Sequence, residues 1–513
     1  MKIIKKVITR IAPSNTGFAT IGNLRTAIYN YLFAKKHGGE FIIRIEDTDK
    51  KRFVKGAEEY MIKSLAWLGI MPDDGINSDG TAMYRQSEKD YSSYIEILLK
   101  NGNAYYAFDS EEELEEARKK SEGKGKTPFS YNSFNRIYMK NSISLSSEDV
   151  KNRLERGDSY TIRFNTPKNR EISLSDLVCG KTVFNTKNID DKVLWKSDGT
   201  PSYFLANTID DIDSKISHVI KGVEWLSSYP TIFLLYEAFG AEIPQFAHLP
   251  LLLDENGAKL SKRNAKNYNF PICLLEYSDP ETNEKILGFR ELGYDSDALL
   301  NALCFLGWNP GTNQEIFSKE ELINAFSLEN VSKSGARVSS EKFKWFNTQY
   351  LRNRDNAYLY DAYIRRDEVK FINTWENHDK IVNIAKERSV FSSDLYKNVS
   401  YFFEPVVLAD NVVLKNPTEF TFVMNNWFNS GDGLYGDGIS IWSADEIKAK
   451  LDSLCELGGF KLGKILPDLR MALTGGIPGP HLPETMEILG PIESRIRIKA
   501  LLGKAKGIVH LKV

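Results

Sequence analysis

Apolar residues near the start of the chain change their spacing within forty positions. Residues 7–11 (Val-Ile-Thr-Arg-Ile) form a short β-prone run, followed by the turn-rich stretch Ala12-Pro13-Ser14-Asn15-Thr16-Gly17. Apolar side chains then recur at Ile21, Leu24, Ile28, Tyr31 and Leu32, the spacing of one helix face. Gly38-Gly39 stops that helix, and residues 41–45 read as a buried strand. Ala57, Tyr60, Met61, Leu65 and Leu68 mark another helix. Strands alternating with helices predict a parallel sheet in a doubly wound, Rossmann-type α/β domain.

The pattern shifts near residue 105. Asp109-Ser110, three glutamates and then Arg118-Lys119-Lys120 describe a capped helix whose charges match its dipole. Residues 123–126 (Gly-Lys-Gly-Lys) are a surface break. Strand-like runs at 160–164 and 192–195 predict an inserted α+β subdomain. The strand–helix pattern resumes near Tyr203, and an apolar strand at 249–253 leads into a polar loop. Beyond about residue 330 helical periodicity dominates. The expected fold is a multidomain α/β plus all-α chain. Its α/β domain occupies 1–105 and 196–255, split by an insertion at 106–195; 256–330 follow, then a helical half at 331–513.

Composition supports several domains and excludes some classes. A chain of 513 residues that is 42% hydrophobic and 27% charged is a globular protein of three to five domains. No apolar run reaches the roughly 20 residues of a membrane span. The opening MKIIKKVITRIAPSN lacks a signal core, so a cytoplasmic location is expected. Cys179, Cys273, Cys304 and Cys455 lie too far apart for a CxxC metal pair. The net charge of −2 argues against a dedicated nucleic-acid coat protein. Residues 461–513 nevertheless carry nine Lys and Arg against four Asp and Glu. That basic end suits either a folded RNA or a merely solvated helical surface.

Two separated stretches carry candidate chemistry. Between the first strand and first helix lies Arg10-Ile-Ala-Pro-Ser14-Asn-Thr16-Gly17-Phe-Ala-Thr20-Ile-Gly22-Asn23. A Gly-bearing turn entering a helix offers amide groups and the positive end of the dipole to phosphate. Most such turns only connect elements. The second stretch, Lys259-Leu260-Ser261-Lys262-Arg263, follows the apolar strand. Its cations can neutralise charge that develops on a triphosphate. Taken alone, it reads equally as a solvated basic loop.

Together and in this order they resemble the HIGH and KMSKS signatures of class I aminoacyl-tRNA synthetases. The glutamyl branch is identified by Thr9-Arg10-Ile11-Ala12-Pro13-Ser14, Arg44-Ile45-Glu46-Asp47-Thr48-Asp49, Tyr203-Phe-Leu-Ala-Asn207 and His218-Val-Ile-Lys221-Gly-Val-Glu224-Trp225. Further matches run through Phe246-Ala-His-Leu-Pro, Leu306-Gly-Trp-Asn-Pro310, Trp345-Phe-Asn-Thr-Gln-Tyr350 and Arg470-Met-Ala-Leu-Thr-Gly475. Nearly the whole chain is covered. The resemblance to glutamyl-tRNA synthetases implies glutamate attack on the α-phosphate of ATP with Mg²⁺, then transfer to the terminal ribose of tRNA(Glu). It implies a monomer, with 106–195 binding the acceptor end, 256–330 contacting the stem and 331–513 the anticodon.

The same resemblance places Arg10 on the substrate's side-chain carboxylate, where a guanidinium fork is apt. It puts Ala12, Ser14, Glu46, Tyr203, Asn207, Lys221, Glu224 and Trp225 around glutamate, with Glu46 facing the ammonium. Thr16, Gly17, Thr20, Gly22, Asn23, Leu260 and Lys262 would face ATP, and Thr20, Lys259, Ser261 and Lys262 would carry the chemistry. Asp210, Asp211 and Asp213 lack companion His or Cys ligands, so surface or capping roles are expected for them and no metal site.

The signature is degenerate. Thr20 stands where the family has its first histidine, Asn15 replaces a proline and Asn23 a glycine or histidine. Lys221 replaces an arginine facing the α-carboxylate, exchanging a fork for a point charge. Asn264 replaces the acid commonly found after the basic loop. Ala107 and Asp109 occupy positions of zinc cysteines in some relatives, so no zinc is expected. The departures fit a divergent ligase, and the alternative is a catalytically weakened tRNA-binding paralogue. A tRNA-base-modifying relative would lack the helical half. A glutaminyl enzyme would carry β-barrels in its place.

Overall fold

A computed structural model of the chain describes residues 6–122, 129–261, 270–280, 282–365, 376–410, 412–429, 441–479 and 481–505. The surface break at 123–126 and the basic-loop residues Lys262, Arg263 and Asn264 lie outside them. Two compact units divide the chain: Met1–Glu291 with Ser296–Phe343, and Leu292–Asp295 with Lys344–Val513.

The first unit opens with the expected strand–helix–strand. Strand β1 (Ile8–Ile11) pairs in parallel with β2 (Glu40–Ile43), and α1 (Ile21–Lys36) connects them. Helix α1 is more than a connector, because its polar residues bond outward to three other segments. Tyr29 donates to the carbonyls of Cys304 and Leu306, both at 3.0 Å. Asn30 Nδ2 reaches Ile220 O at 3.1 Å, and Arg25 donates to Leu306 O at 3.1 Å and to Pro250 O at 2.5 Å. The apolar face that periodicity predicted (Leu24, Ile28, Leu32) is fully buried.

Helices α2 (Ala57–Trp67) and α3 (Ser92–Lys100) precede β3 (Ala104–Ala107). The capped helix is α4 (Glu111–Glu122), in which Ser110 Oγ accepts from Glu113 N and Glu113 Oε2 accepts from Ser110 N. After α5 (Ser147–Arg156) comes β4 (Thr161–Phe164), then the hairpin β5 (Glu171–Asp176) and β6 (Gly180–Asn185), and β7 (Val193–Trp195). Strands β3, β4 and β7 form an antiparallel sheet, as an α+β insertion requires.

Helix α6 (Tyr203–Asp213), β8 (His218–Gly222), α7 (Tyr229–Phe239) and β9 (Gln245–Leu249) restore the α/β pattern, with β8 and β9 parallel in register from His218–Gln245 to Gly222–Leu249. The hairpin β5–β6 attaches to this sheet, giving the order β6-β5-β9-β8, yet β5 meets β9 only at Asp176 opposite Phe246. The junction is polar. Asp176 accepts from Val178 N, Cys179 N and His248 N, and holds His248 Nδ1 at 2.6 Å. Around it Leu174, Val219, Leu205, Ile209, Leu235 and Phe246 share one core, each worth roughly 1.5–3 kcal/mol when fully buried.

The second unit is helical among its described residues. His378–Arg388, Ser392–Val399, Pro417–Phe428, Ala444–Leu457, Leu466–Thr474 and Leu482–Lys504 enclose a core containing Phe402, Phe420, Trp427, Leu473 and Leu501. The last of these helices is interrupted at Gly490, whose φ of 78° is followed by Pro491. No helix among the described residues is long and apolar enough to cross a membrane.

Candidate active site

The carboxyl ends of β1 and β8 and the start of α1 open onto a cleft of about 250 Å³. Such crevices at strand ends are where open α/β sheets bind ligands. Arg10, Ala12, Glu46, Tyr203, Asn207, Lys221, Glu224 and Trp225 all line it. So do Thr20, Gly22, Asn23, Lys259, Leu260 and Ser261. Two stretches some 240 residues apart in sequence therefore share one cavity. Ser14, Thr16 and Gly17 are not among its lining residues, and the Ser14 and Thr16 hydroxyls bond each other at 2.9 Å.

The floor is a buried charge cluster. Arg10 donates from Nε and Nη2 to Asp211, each at 3.1 Å, and Arg44 Nη1 reaches the same carboxylate at 2.8 Å. Arg44 Nη2 continues to Glu46 Oε1 at 3.1 Å, and Asn207 Nδ2 bonds that oxygen at 2.6 Å. One carboxylate oxygen of Glu46 is thus fixed from two sides. Asp211 takes one edge of the Arg10 fork, and the Nη1–Nη2 edge is left for a second carboxylate. Burial alone would drive the Asp211 carboxyl up, but Arg10 and Arg44 outweigh it and hold it below the ordinary carboxylate range. Burial likewise opposes the charge of both arginines, and Asp211 more than restores it.

These contacts correct the expectation for two acids. Asp210 and Asp211 are neither surface nor capping groups, being 4% and 3% exposed. Asp210 accepts from Gln86, Lys89 and Tyr91, behind the cleft. Asp213 is more exposed and pairs with Lys89 at 2.5 Å. A signal for this existed: Arg10 sits in one apolar strand and Arg44 directly follows another, and a buried arginine there requires a buried acid. Arg25, Arg44 and Asp211 are the residues this reasoning missed.

Lys221 projects from β8 into the same wall. It is 7% exposed, and its Nζ has no hydrogen-bond partner among the described residues. Burial, reinforced by the charge of Arg10, pulls its amine down to about 7. Beyond it, Gly222 makes room for Glu224: a Cβ at 222 would sit 2.2 Å from Glu224 Oε2. Tyr203 and Trp225 pack ring to ring at 4.8 Å and close this end.

Thr20 is the N-cap of α1. Asn23 Oδ1 accepts from both Thr20 N and Thr20 Oγ1 at 3.0 Å, so the hydroxyl proton expected to serve a ligand is already engaged. Ile21 N bonds Ile272 O and Leu24 N bonds Thr20 O, so this turn offers a ligand the Gly22 amide and the helix dipole. A Cβ at Gly22 would come no closer to protein than 3.6 Å, so internal packing does not demand this glycine, which lines the cleft.

The basic loop leaves a tight turn. Asp254 Oδ1 accepts from Asn256 N and Ala258 N, Gly257 takes φ +85°, and Leu260 N returns to Leu252 O at 2.8 Å. This sets Lys259, Leu260 and Ser261 on the cleft wall. At the positions of the zinc cysteines, Ala107 is buried in β3 and Asp109 accepts from Tyr131 OH and Lys140 N.

The chain is similar to known proteins along nearly all of its length. Residues 6–345 match the family described as "tRNA synthetases class I (E and Q), catalytic domain", and residues 356–502 match "Anticodon binding domain". The chain is 44% identical to the glutamate–tRNA ligase of Christiangramia forsetii over 511 residues, covering 98% of this chain and 99% of that one. It is 43% identical to the glutamate–tRNA ligase of Amoebophilus asiaticus, covering 97% and 98%. A crystal structure of the glutamate tRNA ligase from Elizabethkingia meningosepticum with its amino acid superposes with a TM-score of 0.87 at 41% identity, covering 97% of this chain and 99% of that one.

Proposed function

We infer the part played by each cleft residue from the premise that this chain belongs to the class I glutamate–tRNA ligases, and so joins glutamate to tRNA at the expense of ATP. The observation that carries the reading is the Arg10–Asp211–Arg44–Glu46 cluster on the floor of the cleft. It leaves one guanidinium edge and one carboxylate oxygen available for a ligand bearing both signs of charge.

Glutamate supplies those signs. Its side-chain carboxylate pairs with the free edge of Arg10, its ammonium with Glu46, and its α-carboxylate with Lys221. Tyr203 and Trp225 exclude water beside it, and Asn207 holds Glu46 in place. ATP enters as its Mg²⁺ complex against the start of α1, where Gly22 and the dipole receive phosphate. The α-carboxylate attacks the α-phosphorus, and charge growing on the leaving pyrophosphate is met by Lys259, Ser261 and Lys262. This step asks for positioning and fixed charge, not a protein base. The adenylate then passes its glutamyl group to the terminal ribose of tRNA(Glu). Residues 106–195 receive the acceptor end, 256–330 the stem and 331–513 the anticodon, in a cytoplasmic monomer. The test is tRNA-dependent exchange of pyrophosphate into ATP. Exchange with glutamate far above that with glutamine supports the reading, and exchange with neither refutes it.

Two substitutions examine the phosphate end. Lys262→Ala removes a charge that matters chiefly in the transition state. It should lower kcat by roughly 100- to 1000-fold, the typical loss for one such donor, and leave tRNA affinity unchanged. Rapid-quench turnover beside filter binding gives both numbers, and unchanged turnover would make the loop a solvated face. Thr20→His offers a longer donor and frees Asn23. It should raise the rate of adenylate formation about tenfold to a hundredfold at most, because neighbouring changes seldom add. Glutamate preference should stay as it is. A slower histidine variant in single-turnover assays would mean that the helix start is built around threonine.

A further inference from the structure

Lys221 occupies an unusual position for a cation. Its Nζ lies inside the wall between the cleft and the sheet, without a hydrogen-bond partner among the described residues. An ammonium there has three unsatisfied donors, whereas a neutral amine pays far less for the same burial. The surrounding charges do not call for a further cation. From β1 comes Arg10, and from the segments after β2 and within α6 come Glu46 and Asp211. Arg10 and Arg44 already balance Asp211 and Glu46 one for one.

The interior side is equally self-contained. Asp176, at the end of β5, is satisfied by three backbone amides and by His248 Nδ1. That bond leaves His248 Nε2 buried without a partner, and burial holds the imidazole neutral. Glu224, on the loop beyond Gly222, is exposed and solvated. None of the facing groups is a carboxylate waiting for Lys221.

Glutamate changes this balance. At neutral pH it carries two carboxylates and one ammonium, a net charge of −1. With Arg10 facing one carboxylate and Glu46 facing the ammonium, the second carboxylate arrives with no fixed counter-charge but Lys221. We propose that glutamate binding loads a proton onto Lys221, so that the free site holds a neutral amine and the complex an ammonium paired with the substrate's α-carboxylate. The inference rests on the placement of glutamate given above. The proton comes from solvent, and no covalent bond changes. An arginine at this position would stay charged in both states and take up nothing.

The sign of the pH dependence follows. The free amine titrates at about 7 and the bound one higher, so affinity is full below that pH, where both states are protonated. Above it, the dissociation constant for glutamate rises by up to about tenfold per pH unit, until the pH reaches the value in the complex. The decisive measurement is calorimetric titration of L-glutamate into the full-length enzyme with its tRNA, in buffers of differing ionisation enthalpy. At pH 8 the slope should report roughly one proton taken up, and at pH 6 close to none. Lys221→Arg should bind glutamate with a slope near zero at both. Wild-type binding with no proton uptake at pH 8 overturns the inference and leaves the site assignment standing. Equal uptake in Lys221→Arg overturns it too, by locating the proton elsewhere. Absence of glutamate binding in the wild type removes the assignment itself. Lys221→Met is the second variant: weakened binding without proton uptake supports the inference, and undiminished uptake overturns it.

Discussion

Arg10→Ala is expected to cut kcat/KM for glutamate about 1000-fold, close to 4 kcal/mol, within the range found when one member of a buried charge pair is truncated. The loss has two sources that can be separated. The substrate carboxylate loses its fork, which affects glutamate alone. Asp211 loses one of two guanidinium partners, which lowers stability whatever the substrate. Weak activation of glutamine reports only the second. Pyrophosphate exchange with both amino acids, at a temperature where the variant remains folded, therefore gives the side-chain contribution as the difference. Equal losses would mean that Arg10 holds the cluster together and does not read the substrate.

Asp211→Ala should have the larger effect on folding. It leaves Arg10 and Arg44 buried side by side, with Glu46 as the one acid still bonded to either of them, through Arg44. Breaking a buried pair by removing one partner costs about 3–5 kcal/mol, although replacing a whole pair by apolar residues can be neutral. For a unit of this size that corresponds to a melting temperature lower by roughly 4–7 °C, and activation should be lost with it. Combining Asp211→Ala with Arg10→Ala should cost less than the sum, since the second change removes a charge the first has stranded. Thermal melts of both single variants and the double variant complete the cycle. Strict additivity would show that the two side chains do not depend on each other.

The parts of the fold that were legible in the sequence are those with a period. Leu24, Ile28 and Leu32 announced α1, and the Ser110–Glu113 capping signal announced α4, because both patterns arise from helix geometry itself. The hairpin β5–β6 was not read. Its buried alternation is brief (Ile172, Leu174), and the third inward position is Asp176, where an apolar residue would have extended the pattern. What joins it to β9 is a carboxylate–imidazole contact that no hydropathy pattern carries. The cleft residues were legible only through resemblance, since Arg10, Glu46, Asn207 and Lys221 come from four separate segments. Asp211 escaped even that. Standing beside Asp210 and near Asp213, it looked like part of a solvated acidic run, and only the fold turns it inward beneath two arginines.

Helix α1 holds the first unit together through its middle, where Arg25, Tyr29 and Asn30 bond to carbonyls of distant segments, while its first turn borders the cleft. The bonds that tie the unit together and the turn that borders the cleft thus occupy different stretches of one helix. Exchanging Thr20 or Asn23 removes cap bonds of the helix, a cost of about 0.5–2 kcal/mol, and leaves the bonds to distant segments in place. Positions 25, 29 and 30 make those bonds themselves and have no such freedom.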